Sequence, residues 1–259
     1  MRLLAFLILF FVLFSCGGEK NSENNSNTTV VDTLLDLEID STLIDEPEIE
    51  PEPVYIVDTL EQSLIDSGLV NIQDIIPGIL TDVRYSDTNN FMAADVYGHL
   101  NRIYLQPSVA EDLKKCQIKL KEIDSTLTLL VYDGVRPRSV QQYMWDILDM
   151  PINDKVKFVS NPKNGSLHNY GAAVDLTIAD TNGVALDMGA GYDDIRKIAY
   201  PRHEAAYLDS GLLTQQHIDN RDLLRDVMRS GGFWGIQTEW WHFNRYSRDK
   251  AKGLFNIVE

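Results

Sequence analysis

The sequence predicts a single α+β domain over residues 61–259, with a central, mainly antiparallel sheet flanked by helices. TLTLLVYDGV at 126–135 is rich in Leu and Val and is typical of a buried strand. VDLTIAD at 174–180 alternates apolar and polar residues, as a strand does when its two faces differ. Helical and strand segments do not alternate strictly along the chain, which favours α+β over a parallel sheet. About 200 residues are enough for one domain with a real core.

The first long helix is predicted in PSVAEDLKKCQIKLKEID at 107–124, where Pro107 suits a helix start. Its apolar residues recur at spacings of four, three and four, which is one face of a helix. They are Val109, Leu113, Cys116 and Leu120. We expect Cys116 to be a buried structural thiol without a disulfide.

Two further helices follow the predicted strands. RPRSVQQYMWDIL at 136–148 has an amphipathic pattern, and RDLLRDVMRSGG at 221–232 ends in the glycine pair that stops a helix. The apolar face expected for the first of them is Val140, Tyr143, Met144, Ile147 and Leu148.

The first sixteen residues, MRLLAFLILFFVLFSC, are typical of an export signal. Arg2 precedes twelve apolar residues, Leu3 to Phe14, a run too short to span a bilayer but right for a signal-peptide core. The ending LFSC resembles a bacterial lipobox, with Cys16 as the lipidated residue. We expect a lipid anchor at Cys16; the other interpretation is an ordinary signal peptide in which Cys16 is incidental. The corresponding location is the bacterial cell envelope, on the periplasmic or extracytoplasmic face.

Residues 17–60 have the composition of an acidic disordered linker, with twelve Asp or Glu and one Lys. Such a segment buries too little apolar surface to offset the loss of chain entropy. Much of the net charge of −16 lies here, since residues 61–259 carry 27 acids and 21 bases, or −6. Nothing in that balance indicates nucleic acid as a partner. We also expect no obligate protein partner.

Polar residues with metal-ligand chemistry occur in two motifs, GSLHNYGAAVD at 165–175 and EWWHF at 239–243. A loop that turns through Gly171 into a strand can bring His168 beside Asp175. With His242, these residues would supply the three protein ligands of a catalytic zinc, one Zn²⁺ per chain, on the sheet. Taken singly, Asp175 could be a solvent-facing strand residue and His168 a loop histidine.

The two motifs resemble those of the D-alanyl-D-alanine dipeptidases, zinc peptidases of the VanX type that are related to D,D-carboxypeptidases and the hedgehog domain. SLHNYGAAVD matches Ser-x-His-x-x-Gly-x-Ala-x-Asp, and EWWHF matches Glu-x-x-His. Three further blocks are similar to that family in the same order along the chain. They are DVRYSDTNNFMAADVYG at 82–98, DGVRP at 133–137 and MGAGYDD at 188–194.

The resemblance implies hydrolysis of the D-alanyl-D-alanine dipeptide, with His168, Asp175 and His242 on zinc. Glu239 would then be the general base that takes a proton from water and passes it to the leaving amine. Arg136 would stabilise the negative charge that develops on the carbonyl oxygen; the other interpretation is a surface arginine at a helix start.

The same resemblance implies that Asp193 and Ser166 bind the amino end of a dipeptide. Asp194, beside Asp193, is interpreted as solvated surface. Two other functions stay open at this point. One is a zinc D,D-carboxypeptidase or muropeptide hydrolase acting on peptidoglycan stem peptides, against which the presence of Asp193 argues. The other is a non-catalytic zinc-binding module, which would have no use for a base at Glu239.

Overall fold

The computed structural model describes residues 58–156 and 158–259 of this chain. The expected signal peptide, Cys16 and the linker up to residue 57 lie outside the described residues. The described chain belongs to the compact unit Val54–Glu259. Among these residues, no helix combines the length and the apolar character needed to cross a membrane.

A five-stranded sheet in the order β2-β4-β5-β7-β6 forms the centre of the fold. β2 pairs in parallel with β4, whereas the other three pairs are antiparallel, so the predicted mainly antiparallel sheet is confirmed. A separate antiparallel pair joins β1 and β3. The strands are β1 (Val70–Asn71), β2 (Leu80–Thr81), β3 (Tyr104–Leu105), β4 (Leu127–Asp133), β5 (Ala173–Asp180), β6 (Trp234–Gly235) and β7 (His242–Asn244).

The described residues form eight helices, and the three longest cover most of each of the three segments that the sequence predicted to be helical. The helices are α1 (Thr59–Asp66), α2 (Ile72–Ile75), α3 (Pro107–Ile123), α4 (Arg138–Ile147), α5 (Ile152–Lys155), α6 (Glu204–Asp209), α7 (Gln215–Ser230) and α8 (Arg248–Leu254). Short 3-10 turns occur at Arg84–Ser86, His168–Tyr170, Lys197–Ala199 and Pro201–His203.

The main core lies between α3, α7 and one face of the sheet. The predicted face of α3 is fully buried, including the free thiol of Cys116. It meets the apolar residues of β5 and of α7, which are also fully buried: Val174, Leu176, Ile178, Leu224, Val227 and Met228. Burial of this apolar surface fixes the orientation of β5, and therefore which of its side chains point to the other face.

The other face of β5 is also covered, which the alternating pattern did not predict. Asp175 is 3% exposed and Thr177 is fully buried. Tyr192, from the loop between β5 and α6, packs there against the cluster that contains Tyr132 and Ala179. Asp175 is therefore not a solvent-facing strand residue.

The predicted apolar face of α4 is only partly correct. Val140, Met144 and Leu148 are buried, but Tyr143 is 50% exposed and Ile147 is 37% exposed. The buried residues follow a spacing of four, which makes a narrow stripe, and the two exposed residues lie beside that stripe on the solvent side.

Candidate metal centre and active-site cleft

Strand register brings the candidate metal ligands together at one end of the sheet. Asp175 of β5 lies directly opposite His242 of β7 and, on its other side, is aligned with Asp133 of β4. Side chains of directly opposite residues in an antiparallel pair lie on the same face, with Cβ atoms about 4.5–5.5 Å apart. Three polar side chains from neighbouring strands therefore converge on one spot.

His168 reaches this spot from the 3-10 turn that precedes β5. Gly171 ends the turn in the left-handed conformation, with φ of 61°, which a residue with a side chain rarely adopts. A Cβ at Gly171 would also lie 3.2 Å from the backbone nitrogen of Gln106. The turn through this glycine allows His168 to fold back beside Asp175, as the sequence predicted.

The three side chains place one donor atom each at a common centre. His242 Nδ1 lies 3.0 Å from Asp175 Oδ1 and 3.1 Å from His168 Nε2, and the latter two atoms are 3.4 Å apart. Zinc bonds of about 2.0–2.1 Å in a tetrahedral site place neighbouring ligand atoms about 3.3 Å apart. The donor set and its spacing fit Zn²⁺ with a fourth position left for water or substrate.

Each candidate ligand is oriented by a second residue. His168 Nδ1–H donates to the Gly134 carbonyl at 2.7 Å, and His242 Nε2–H donates to Asn244 Oδ1 at 2.9 Å. These bonds select the tautomers that leave His168 Nε2 and His242 Nδ1 free to ligate a metal. The Tyr192 hydroxyl lies 3.4 Å from Asp175 Oδ2 and orients that carboxylate.

Charges within the cluster favour an anionic carboxylate and a protonated imidazole when no metal is bound. Burial favours the neutral form of Asp175, but His168 and His242 outweigh it and hold the pKa of Asp175 well below its ordinary value. Burial acts to lower the pKa of His242, whereas the hydrogen bond and charge of Asp175 raise this pKa to about 9. A cation bound here takes the place of that proton.

Glu239 stands beside the three donors and not among them. Its Oε2 is 3.9 Å from His242 Nδ1, and its side chain is 30% exposed to the cleft. The following residues, Trp240 and Trp241, are each 4% exposed and pack into the main core. Burial raises the pKa of Glu239 above its ordinary value.

Arg136 is buried beside the metal centre, so it is not a surface arginine. Its Nη2 lies 3.9 Å from Asp175 Oδ2, and its guanidinium stacks over the Tyr85 ring, 4.9 Å from the centroid. Asp133 binds this guanidinium and is itself fully buried. Asp133 is the first residue of the DGVRP block, but nothing in the sequence pattern indicates its contact with Arg136.

Asp193 lies in the same cleft with an incompletely satisfied carboxylate. Its Oδ1 accepts a hydrogen bond from the Tyr85 hydroxyl at 3.2 Å, whereas its Oδ2 is buried with no hydrogen-bond partner among the described residues. Burial and the charge of Asp175 raise the pKa of Asp193 to about 8. Its backbone adopts a φ of 59°, an uncommon conformation for a residue other than glycine. Strain and an open acceptor at one residue are typical of a ligand site.

The remaining predicted residues also lie at the cleft. Ser166 is buried, and its hydroxyl donates to Gln141 Oε1 at 2.8 Å, which leaves its oxygen free to accept. Asp194 lines the cleft with its side chain 11% exposed and pairs with Arg196, so the interpretation of Asp194 as solvated surface is wrong. The cleft, of about 240 Å³, contains all seven described residues that the sequence predicted: Arg136, Ser166, His168, Asp175, Asp193, Glu239 and His242.

Comparison with known proteins identifies the family. The model of the peptidase M15 family, described as D-ala-D-ala dipeptidase, matches residues 66–257. The chain belongs to this family. It is a zinc metallopeptidase, and the described residues contain the His-Asp-His donor cluster that such an enzyme needs.

Individual relatives cover most of the domain. The chain is 32% identical over 175 residues to the D-alanyl-D-alanine dipeptidase of Escherichia coli (strain K12), covering 68% of this chain and 83% of that protein. The D-alanyl-D-alanine dipeptidase of Enterococcus faecalis (strain ATCC 700802 / V583) is 26% identical over 210 residues, or 75% and 99% of the two chains. The solved structure of the vancomycin-resistance D,D-dipeptidase VanXYg, in complex with a D-Ala-D-Ala phosphinate analog, is more distantly similar. The match has a TM-score of 0.36 and 20% identity, and it covers 72% of this chain and 69% of that chain.

Proposed function

We propose that this M15 peptidase hydrolyses the D-alanyl-D-alanine dipeptide to two D-alanines, in the turnover or salvage of cell-wall peptides. The observation that carries the proposal is the buried Oδ2 of Asp193, an acceptor without a partner among the described residues, in the cleft that also holds the metal centre. A buried carboxylate of this kind gains most from a cationic donor. A free dipeptide carries an ammonium close to its scissile bond, and a stem peptide has an amide at that position.

Zn²⁺ would be held by His168 Nε2, Asp175 Oδ1 and His242 Nδ1. Bound there, zinc would supply a Lewis acid for the peptide carbonyl and would lower the pKa of water to near 7. Glu239 takes the proton from the attacking water and passes it to the leaving amine, a role that its raised pKa favours.

Arg136 stabilises the negative charge that develops on the carbonyl oxygen. The guanidinium is buried, oriented by Asp133 and close to Asp175. A preorganised cation in a site with little water contributes more to the transition state than a mobile surface cation does. Ser166 presents its hydroxyl oxygen to the substrate ammonium, together with Asp193.

The experiment that tests the proposal compares three substrates on the purified, zinc-loaded protein: D-Ala-D-Ala, L-Ala-L-Ala and N-acetyl-D-Ala-D-Ala. We expect rapid cleavage of the first and little of the third, because acetylation removes the ammonium that Asp193 binds. Equal cleavage of the acetylated and free dipeptides would instead support a D,D-carboxypeptidase that acts on stem peptides.

We also propose that Cys16 carries a lipid that anchors the enzyme in the bacterial cell envelope. Support comes from the apolar run Leu3 to Phe14, which ends two residues before this cysteine, and from the acidic segment that follows. Labelling of cells with a radioactive fatty acid should mark the wild-type protein and not Cys16→Ser. Equal labelling of both proteins would contradict the anchor.

A further inference from the structure

A fully buried glutamine lies directly behind the wall of the active-site cleft. Gln141 of α4 has no exposed surface, and its side-chain amide takes part in three hydrogen bonds. Its Oε1 accepts from the Ser166 hydroxyl at 2.8 Å and from Asn169 Nδ2 at 2.9 Å, and its Nε2 donates to the Ser160 carbonyl at 2.7 Å. Ser160 and Ser166 both line the cleft, so Gln141 joins two parts of its wall.

The direction of these hydrogen bonds is set by backbone groups, each of which has one fixed role. A carbonyl oxygen only accepts, so the atom of Gln141 beside the Ser160 carbonyl is the donating nitrogen. The amide of Asn169, also fully buried, is fixed in the same way: its Oδ1 accepts from the Ser166 N–H at 2.6 Å, and its Nδ2 donates to the Arg136 carbonyl at 2.7 Å. Gln141 therefore presents its oxygen, and not its nitrogen, to the Ser166 hydroxyl.

The Ser166 hydroxyl has one hydrogen to donate and two lone pairs that accept. Because Gln141 takes the hydrogen, Ser166 meets a ligand in the cleft as an acceptor. Asp193 Oδ2, which has no hydrogen-bond partner among the described residues, is a second acceptor in the same cleft. A ligand group that binds both acceptors must supply at least two hydrogens, as an ammonium does and as a hydroxyl or a secondary amide does not.

We infer that Gln141 is a positioning residue that gives this part of the cleft its preference for an ammonium over a neutral group. Gln141 is fully buried and acts through Ser166, whose hydroxyl it holds in the accepting orientation. This inference rests on the proposed function and extends it. The substrate is selected by the number of hydrogens that it donates, in addition to its charge, so an analogue with a hydroxyl in place of the ammonium leaves one acceptor without a partner.

The test measures a preference, the ratio of kcat/KM for D-Ala-D-Ala to kcat/KM for D-lactyl-D-alanine, in which a hydroxyl replaces the ammonium. In the full-length, zinc-loaded enzyme, Gln141→Met should lower this ratio about tenfold, because the freed Ser166 hydroxyl can turn and donate to the neutral analogue. The loss on D-Ala-D-Ala should lie mainly in KM, and zinc content should stay near one per chain. Both substrates are assayed on one preparation, so a partly unfolded variant gives the same ratio as a fully folded one.

A double-mutant cycle shows whether Gln141 acts through Ser166. In the Ser166→Ala background, Gln141→Met should change the ratio by less than about twofold, because the hydroxyl that Gln141 orients is absent. Gln141→Glu should keep the ratio at or above that of the wild type, since a carboxyl oxygen also accepts from Ser166. Gln142→Met is the matched control, because Gln142 is the next residue of α4, is exposed and donates to Asp146 instead of a cleft residue. This control should keep the wild-type ratio.

A ratio that Gln141→Met leaves unchanged, or lowers equally with and without Ser166, would overturn the inference and leave the proposed function intact. A wild type that hydrolyses neither substrate would instead reject the proposed function. Calorimetric binding of D-alaninamide, which carries the ammonium and no carboxylate, to the wild type, the two single variants and the double variant then decides the inference. Weakening by Gln141→Met that requires Ser166 upholds it, and equal weakening in both backgrounds, or none, overturns it.

Discussion

Asp133 Oδ2 accepts hydrogen bonds from both Nε (3.1 Å) and Nη2 of Arg136, and both side chains are buried. The other oxygen, Oδ1, accepts from the Tyr97 hydroxyl at 2.7 Å and from the Gly134 N–H at 2.9 Å. Each oxygen of this carboxylate thus accepts two hydrogen bonds, and the carboxylate fixes the orientation of the guanidinium. Removal of either partner leaves a buried charge without its hydrogen-bonded countercharge.

Asp133→Ala should destabilise the protein by about 3–5 kcal/mol, because buried Arg136 loses its hydrogen-bonded carboxylate and keeps only the more distant charge of Asp175. Turnover should fall at least tenfold, since Arg136 loses its orientation, while zinc content stays near one per chain. Urea unfolding and metal analysis measure the two effects. Tyr97→Phe is the milder control, with an expected cost of about 1 kcal/mol. Unchanged stability in Asp133→Ala would show that Arg136 finds another partner or solvent.

Removal of a metal ligand should abolish metal binding. His168→Ala, Asp175→Ala and His242→Ala should each reduce bound zinc well below one per chain, because two remaining ligands hold the ion too weakly. Chelation of the wild type should abolish activity, and added zinc should restore it. Full occupancy in one of these variants would remove that residue from the ligand set.

Asn244→Ala should lower zinc affinity by about 10- to 100-fold without removing a ligand atom, because His242 loses the acceptor that fixes its tautomer. Competition with a chromophoric chelator measures the change. Asn182→Ala, an exposed turn residue outside the cleft, serves as control. Equal affinities for Asn244→Ala and wild type would show that the hydrogen bond does not orient the imidazole.

Glu239→Gln should retain zinc and lose turnover by a factor of about 10² or more, since general acid–base catalysis supplies roughly that much. Single-turnover kinetics and metal analysis on the same preparation separate the two readouts. Loss of zinc from this variant would make Glu239 a ligand and not a base.

Asp193→Asn should stabilise the metal-free protein increasingly as pH rises. Burial raises the pKa of Asp193 to about 8, so folding of the wild type favours the protonated carboxyl and loses stability as pH rises from about 4 to about 8. The amide of the variant does not titrate in this range. The difference in unfolding free energy between Asp193→Asn and the wild type should therefore widen by about 1 kcal/mol per pH unit between about pH 5 and pH 8. Urea unfolding of both proteins at about pH 5 and pH 8 measures this difference. A constant difference would contradict a buried, proton-sensitive carboxylate.

Local patterns predicted much of the scaffold and the metal ligands. The face of α3 and the apolar side of β5 follow from residue spacing alone, since both pack on the main core. The turn at Gly171 also follows from sequence, because only a few residue types tolerate its backbone conformation. His168 and Asp175 are therefore predictable as neighbours within one short segment.

Contacts between distant segments were not predictable in this way. Thr177 is buried because the loop that carries Tyr192 packs on this face of the sheet, and the alternating pattern of the strand does not indicate that contact. Asp133 becomes important only where β4 and β5 align it with Asp175, and Asn244 only where it meets His242. For Tyr143 and Ile147 the sequence predicted burial that the structure does not show. Helical spacing places both residues near the apolar face of α4, but no neighbouring segment of the described chain covers them.

The alignment of Asp175 opposite His242 has a consequence for how the chain folds. Side chains alternate along a strand, so a slip of one residue between β5 and β7 would turn His242 to the wrong side and leave the cation with too few ligands. Metal binding therefore stabilises only chains in which this pairing is already correct. Zinc binding would thus favour the correct strand register. A misaligned chain lacks that stabilisation, so it unfolds more readily and can pair its strands again.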